Sequence, residues 1–356
     1  MRILHIIPDI GVSNGIMSVI LNYAKVMPRD ITFDVVYFLD NPVDRKNDIE
    51  KLGGRVYKLG DSPTDVIKLK FFGFFKNHRG EWDAVHIHVP YFSAFIVPAA
   101  RMSGIKKICC HCHSTLFSLN SKNVRKNQLL NFPTRFIVKK KFACGDAAGK
   151  YWYGGNYTVI KNSIDCEKYR FNSDIRNYVR TENGFDDKII IGHIGRTDIV
   201  QKNHKFLFHV FKEIKKINPE AVLLLIGGGP DNNLPRYCEE LGISDSVMFL
   251  GPRDDVSQLM QAMDLFLFPS SSEGLPMSVI EAQTAGLPVL MSDVITSEVV
   301  VTDKIQQLSL NETPMLWARK ALEMCKAGHK DNCGVMKSAG WDIFDSARIL
   351  IDYYRG

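Results

Sequence analysis

Residues 2–27 read RILHIIPDIGVSNGIMSVILNYAKVM, and three physical patterns follow one another in them. RILHIIP is a short apolar run of the kind carried by a strand buried on both faces. DIGVSNG is a turn-rich loop, and IMSVILNYAKVM repeats its apolar residues at helical spacing. A strand, a glycine-containing loop and a helix, in that order, form a unit able to hold a phosphate. Outward from it, FDVVYFL, GRVYKL, AVHIHVP and KKICCHC are further strand candidates between helical or polar segments. That alternation is expected of a parallel sheet covered by helices on both faces. After the loop-like YGGNYTVIKNSID the alternation restarts with KIIIGHIG, a helix from about Lys205 to Ile217, AVLLLIGGGP and a helix near Leu234 to Leu241. VMFLGP, DLFLFPS, a helix after Pro276 and LPVLMSD complete it. Two Rossmann-like, doubly wound α/β domains in series are the simplest account. Their ligand is expected outside the carboxyl ends of the strands, in a cleft that the two domains face across.

Composition bounds the possibilities. A chain of 356 residues, 45% hydrophobic and 24% charged, suits two ordinary soluble domains. No stretch approaches the roughly 18 uninterrupted apolar residues of a membrane-spanning helix, and MRILHIIPDIG is broken too early by Pro8 for a signal peptide. The expected location is therefore the cytoplasm. Eight cysteines are scattered without the framework of a secreted disulfide scaffold. Charge is unevenly divided: residues 1–165 carry 24 Lys and Arg against 13 Asp and Glu. Residues 101–150 hold eleven basic residues and only Asp146 as an acid, with Arg125, Lys126, Arg135 and the run Lys139, Lys140, Lys141 among them. An anionic partner follows for this half, whether membrane surface, phosphorylated substrate or nucleic acid. No recognised nucleic-acid motif accompanies the charge, so nucleic acid is not expected.

The chemistry-bearing residues cluster after strands. GHIGRTDIVQKNHKFL sets Arg196 just past a strand end and Lys202 in the next loop, two cations suited to a diphosphate or, equally by spacing, to a solvated loop. SSEGLPMSVIEAQ places Pro276 at a first helical position, leaving the amides of Met277 and Ser278 as unpaired donors at a positive helix end. Glu273, just before it, is placed to accept from the hydroxyls of a polyol held at that anion site; its plainer role is a helix-end charge. Glu281, about two turns on, reaches a second pair of hydroxyls or forms a surface ion pair. In KICCHCHST, successive residues on a strand point to opposite faces and no second pair at zinc spacing occurs, so no metal site is expected. GGGP at 227–230 lacks G-x-G-x-x-G and does not imply a dinucleotide cofactor.

EGLPMSVIE, with GR and KN about seventy residues upstream, resembles the retaining nucleotide-sugar glycosyltransferases of glycosyltransferase family 4, which have the GT-B fold. The likeness runs nearly end to end, through ICCHCHS, CGDAAGKYWYG, VIKNSID, GHIGRTD, LLLIGGGPDNN, VMFLGPRDDV and AQTAGLPVLMSD. It is nearest to members that build bacterial capsules and exopolysaccharides, and the combination from 192 to 293 is specific where no single piece is. The resemblance implies an acceptor-binding domain at 1–160, a donor-binding domain at 161–338 and a C-terminal helix, 339–356, crossing back to the first domain. It also implies that Glu273 binds hydroxyls of the donor sugar, Glu281 those of the ribose, and Arg196 with Lys202 the diphosphate. The segment from Gly274 through Leu275 and Pro276 to Met277 completes the phosphate cradle, with Pro276 the one position that has no N–H to give. Gly15 approaches the diphosphate from the first domain, although Asn14 stands where the family usually has another glycine; asparagine tolerates positive φ. His113 sits beside the transferred sugar, with His111 the next candidate or a core histidine. No Asp-x-Asp occurs, so cationic side chains and a helix end replace a metal, and no cofactor is required.

The expected activity is transfer of a hexose-type sugar from a nucleoside diphosphate sugar, UDP-linked, to a glycan or lipid-linked acceptor in capsule, exopolysaccharide or lipopolysaccharide biosynthesis. The basic half would then meet the inner face of the membrane. Another GT-B activity, such as a sugar-nucleotide epimerase or a glycan phosphorylase, is the enzymatic alternative. A catalytically silent sugar-nucleotide-binding subunit is the alternative of another class.

Overall fold

The structure is a computed structural model that describes residues 1–12, 14–60, 70–114, 121–197, 200–229 and 233–356. Residues 115–120 of the basic segment, Asp198 and Pro230 lie outside them. The chain divides into two units, Met1–Ser163 with Ile343–Gly356, and Ile164–Asp342.

In the first unit the strands are β1 (Arg2–Ile6), β2 (Thr32–Tyr37), β3 (Val56–Lys58), β4 (Ala84–Ile87), β5 (Lys107–Cys112), β6 (Lys140–Ala143) and β7 (Thr158–Val159). They form one parallel sheet in the order β3-β2-β1-β4-β5-β6-β7. The pleat sends Leu4 and Ile6 to one face, where they join Val85, Ile87, Phe71 and Phe75 in a buried cluster. Ile3, on the other face, joins Phe33, Val35, Phe142 and Tyr354. Both faces are covered, which is why these strands read as continuous apolar runs and not as alternation. The helix Ile343–Arg355 belongs to this unit. It is held by buried Leu350 and Tyr354, by a hydrogen bond from Lys107 Nζ to the Tyr354 carbonyl (2.7 Å), and by the pair Ser163–Ser346 (2.7 Å).

The second unit has β8 (Ile190–Ile194), β9 (Val222–Ile226), β10 (Val247–Gly251), β11 (Leu265–Phe268), β12 (Val289–Ser292) and β13 (Ile305–Leu308). Their order is β10-β9-β8-β11-β12-β13, again parallel. In each sheet the strand order reverses direction at one place, between β1 and β4 and between β8 and β11. Loops leaving the strands there diverge and open a crevice, so each reversal marks a ligand position. Gly15 follows β1, Arg196 and Lys202 follow β8, and Glu273 follows β11.

Three local expectations change. The run Lys139–Lys141 does not face an anionic partner as a whole: Lys139 is exposed, but Lys140–Ala143 is strand β6, Lys141 is buried, and its Nζ donates to the carbonyls of Arg135 (3.2 Å) and Val138 (3.1 Å). Lys140 Nζ donates to Thr158 Oγ1 (3.1 Å) and lies 5.1 Å from the centre of the Phe142 ring. The long aliphatic stems of these lysines pack like apolar residues, which is how a cationic run can enter a sheet. Pro276 is the N-cap, with ψ 103°, and not the first helical residue; the helix runs Met277–Thr284. Asn14 also departs from expectation. Its φ is −78°, so it needs no left-handed tolerance, and its side chain caps the helix Gly15–Val26 by accepting from the Ile16 (2.9 Å) and Met17 (3.3 Å) amides.

Candidate active site

The loops after β8 and β11 are stitched together. The Ser271 amide donates to the Gln201 carbonyl (2.8 Å), and Asn203 Nδ2 donates to the Pro269 carbonyl (3.1 Å). Asn203 takes the left-handed conformation, φ 56°, immediately before the helix His204–Ile217. That turn directs Lys202 back toward the strand ends. Its Nζ reaches Glu273 Oε1 at 2.8 Å and lies 4.8 Å from the centre of the Phe268 ring. The two side chains are 15% and 17% exposed, so water screens this pair far less than it does a surface pair. Two glycines make room for it. A Cβ at residue 195 would lie 2.9 Å from Lys202 Cδ and 3.0 Å from His193 Nε2. Gly227, at φ 138°, crosses so close that a Cβ there would stand 2.0 Å from the Gly195 carbonyl oxygen. Arg196 is half-buried one residue past Gly195.

Beyond Glu273, Gly274 is exposed and Pro276 is buried. Val279 donates back to the Pro276 carbonyl (3.1 Å), while the amides of Gly274, Leu275, Met277 and Ser278 have no acceptor among the described residues. Four donors at a helix start, beside a lysine, favour an anion. Glu281 stands further along the helix, half-buried, and accepts from the Tyr169 hydroxyl (3.0 Å). Burial raises its carboxyl above the ordinary glutamate range, with the Tyr169 hydrogen bond and the nearby Lys168 acting in the opposite direction. Within this unit Arg196, Lys202, Glu273 and residues 274–277 therefore lie around one switch point, with Glu281 on the helix that begins there. From the sequence, Gly195, Gly227, Asn203 and Tyr169 had no role in the site, although Asn203 lay in the KN pair and Gly227 in GGGP. The glycines after two apolar strands are a visible signal for a close crossing; nothing around Tyr169 signals its partner.

In the first unit, Gly15 is exposed at the helix start, and a Cβ there would meet nothing within 4 Å. Asn14, which caps that helix, is itself tethered by donating Nδ2 to the Asp9 carbonyl (2.9 Å) and to Asp9 Oδ2 (3.0 Å). His113 lies just past β5. Its Nε2 meets His88 Nδ1 at 2.7 Å and its Nδ1 meets Asn162 Oδ1 at 3.3 Å. His5, His86, His88 and His111 are buried with it on one face of the sheet. His111 is thus a core residue, and His113 is the half-buried member nearest the strand end.

Burial is the main cause that lowers all five histidines: His5 from 6.5 to about 3, His113 to about 4, and His86, His88 and His111 well below the ordinary value. They are neutral in the folded protein and charge on unfolding below about pH 6.5. Their contribution to stability is therefore complete above that pH and is lost as pH falls toward 4. Each such histidine contributes up to about 1.4 kcal/mol per pH unit, so the thermal midpoint of unfolding is expected to drop steeply between pH 6.5 and 5. A calorimetric midpoint that stays flat from pH 7.5 to 5 excludes this.

Comparison with known proteins bears on the fold. Residues 174–332, within the second unit, match the family model of the glycosyl transferases group 1. The fold is GT-B: the crystal structure of Anabaena Alr3699/HepE in complex with UDP superposes with a TM-score of 0.79, covering 99% of both chains at 18% identity. The chain is 28% identical to EpsF of Bacillus subtilis (strain 168), provisionally assigned as a glycosyltransferase, over 99% of this chain and 96% of that protein. It is 23% identical to the capsular polysaccharide biosynthesis glycosyltransferase CapH of Staphylococcus aureus, over 83% and 82% of the two chains. It is also 28% identical to an Escherichia coli UDP-Gal:alpha-D-GlcNAc-diphosphoundecaprenol alpha-1,3-galactosyltransferase, over 61% and 59%.

Proposed function

We propose that this chain is a retaining, metal-independent glycosyltransferase of family 4. In this reading it moves a hexose-type sugar from a UDP-linked donor to a glycan or lipid-linked acceptor in capsule, exopolysaccharide or lipopolysaccharide biosynthesis. The observation that carries the reading is the meeting of Lys202, Glu273 and a helix start with unpaired amides at one switch point. Without donor, Lys202 and Glu273 neutralise each other. The donor exchanges that pair for two others, Lys202 with the diphosphate and Glu273 with sugar hydroxyls. Arg196 and the amides of Gly274, Leu275 and Met277 take up the charge that develops on the departing phosphate, the work a metal does elsewhere. That phosphate accepts the acceptor's proton on the face it leaves, so no carboxylate nucleophile is involved. Glu281 holds the ribose, and Gly15 and His113 serve from the first unit. UDP is favoured because solved relatives of the same fold hold UDP, or UDP-glucose at a TM-score of 0.77.

A panel of UDP-, GDP- and dTDP-sugars tests the donor assignment by thermal shift and slow donor hydrolysis. At a hundredfold excess over Kd a bound donor stabilises by about 2.7 kcal/mol, a readily measured rise in the unfolding midpoint. If no UDP-sugar raises the midpoint or is hydrolysed, the reading fails.

The enzyme also works at the inner face of an anionic membrane, on this reading. Leu129, Phe132 and Phe136 are 75%, 58% and 73% exposed, with Arg125, Lys126, Arg135 and Lys139 exposed around them. Leu130, Ile137 and Val138 instead pack into the domain. No helix among the described residues is long and apolar enough to cross a membrane. Near an anionic surface each cation contributes about 1 kcal/mol, so co-sedimentation with anionic but not neutral vesicles is expected, weakening as salt rises. Arg125→Gln, Lys126→Gln and Lys139→Gln together should release the protein. If they leave vesicle binding unaltered and raise the acceptor KM, the patch belongs to the acceptor.

A further inference from the structure

The proposed reaction uses only one of five histidines that share a face of the first sheet. His5 pairs in register with His86, and His86 with Cys109, so the alternation of the pleat brings His88, His111 and His113 to the same side. Two groups, His5/His86/His88 and His88/His111/His113, set one ring nitrogen each within 4.8 Å of the others. In each group, however, two of the rings are packed close together, stacked in one and tilted in the other. His86 and His88 lie 16° from parallel at a centroid separation of 4.4 Å, and His111 and His113 lie 33° apart at 4.1 Å. A metal must lie along the in-plane lone pair of each ligating ring, and rings packed this closely do not aim two lone pairs at one point, whereas His5–His88 and His88–His113, 5.2 and 5.0 Å between centroids, meet nitrogen to nitrogen. Hydrogen bonding fits better.

The bonds run in a file: His5 Nδ1 to His88 Nε2 at 2.9 Å, His88 Nδ1 to His113 Nε2 at 2.7 Å, and His113 Nδ1 to Asn162 Oδ1 at 3.3 Å. An amide oxygen only accepts, so His113 must carry its proton on Nδ1 and present a bare Nε2 to His88. His88 then donates from Nδ1 and accepts at Nε2, and His5 donates from Nδ1. The file ends at His5 Nε2, which has no partner among the described residues. In this direction the orphan is a lone pair; reversing every bond would leave a buried N–H there instead, the rarer and costlier outcome.

We propose that His5, His88 and Asn162 lock His113 as the neutral Nδ1–H tautomer, its N–H given to Asn162 and its Nε2 lone pair taken by His88, so that its ring is held in place and is not a general base. His88 and Asn162 are then positioning residues. The lock is a property of the free protein; only its use on the donor sugar rests on the function proposed above.

Two-bond ¹H–¹⁵N correlation on the full chain labelled with ¹⁵N-histidine tests it, with His113→Gln assigning the signal. The wild-type protein at pH 7.5 should show a protonated Nδ1 and a bare Nε2 at His113. His88→Phe removes the donor and should mix the tautomers of His113, lowering kcat about 10-fold or more at little change in donor KM. His88→Gln keeps an N–H and should recover most of both. Asn162→Leu should disturb the same tautomer from the other end. An Nε2–H tautomer or an imidazolium at wild-type His113 overturns the lock, and that spectrum needs no variant to fold. A tautomer unchanged in folded His88→Phe overturns it equally. If the spectrum is as expected and His113→Gln still transfers sugar at full rate, the lock stands and the role given to His113 in the reaction is wrong.

Discussion

Glu273→Gln is expected to lower kcat by about 10²- to 10³-fold, whereas Glu281→Gln raises the donor KM by roughly 10-fold and leaves kcat nearly unchanged. The division follows from what each acid touches. Glu273 is held at the strand end by Lys202, where an acceptor for sugar hydroxyls strengthens as charge develops at the reacting carbon. Interactions of that kind act in the transition state and appear in kcat. Glu281 is held by Tyr169 on the following helix, and a grip on the ribose is the same in ground and transition states, so its loss appears as binding, about 1.5 kcal/mol for one hydrogen-bonding group. Both substitutions keep size and shape. Glu273→Gln leaves Lys202 without its counter-charge, so the unfolding midpoint should be measured alongside the kinetics. Effects of both substitutions confined to KM would rule out the division of labour.

Removing either cation gives the second large effect. Lys202→Met and Arg196→Met should each cost roughly 2 to 4 kcal/mol of transition-state stabilisation, the range for losing one preorganised donor to a developing anion. Activity should meanwhile persist in EDTA. The double change Lys202→Met with Glu273→Gln separates two roles of the lysine. If Lys202 served only to neutralise Glu273, the double variant would regain most of the loss; if it holds the diphosphate, the double variant is at least as impaired as Lys202→Met. Complete loss of transfer in chelator, restored by Mg²⁺ or Mn²⁺, overturns the metal-free scheme.

How much of this is legible in the chain differs from one residue to the next. Apolar runs such as RILHIIP and AVLLLIGGGP, with helical periods between them, specify strands buried on both faces. That property is local, because every residue of such a run must be apolar wherever the strand lies in the sheet. The doubly wound class followed from it, as did the positions of Arg196, Lys202 and Glu273 just past strand ends. The short strands β6, β7 and β13 escaped, β6 because its lysines read as a basic run for an anionic partner when their stems were bound for the interior.

What the tertiary structure alone decided depends on strand order and register. His5 and His88 are 83 residues apart and hydrogen-bonded because β1 lies beside β4. Glu281 meets a tyrosine 112 residues away, and the Lys202 loop is tied to the loop after β11 because β8 adjoins β11. No local pattern encodes these meetings, since a sequence period reports which face a side chain takes and not which strand lies next to it. The apolar pattern along the chain determines that strands are buried; the winding of the sheet determines which polar residues are buried together.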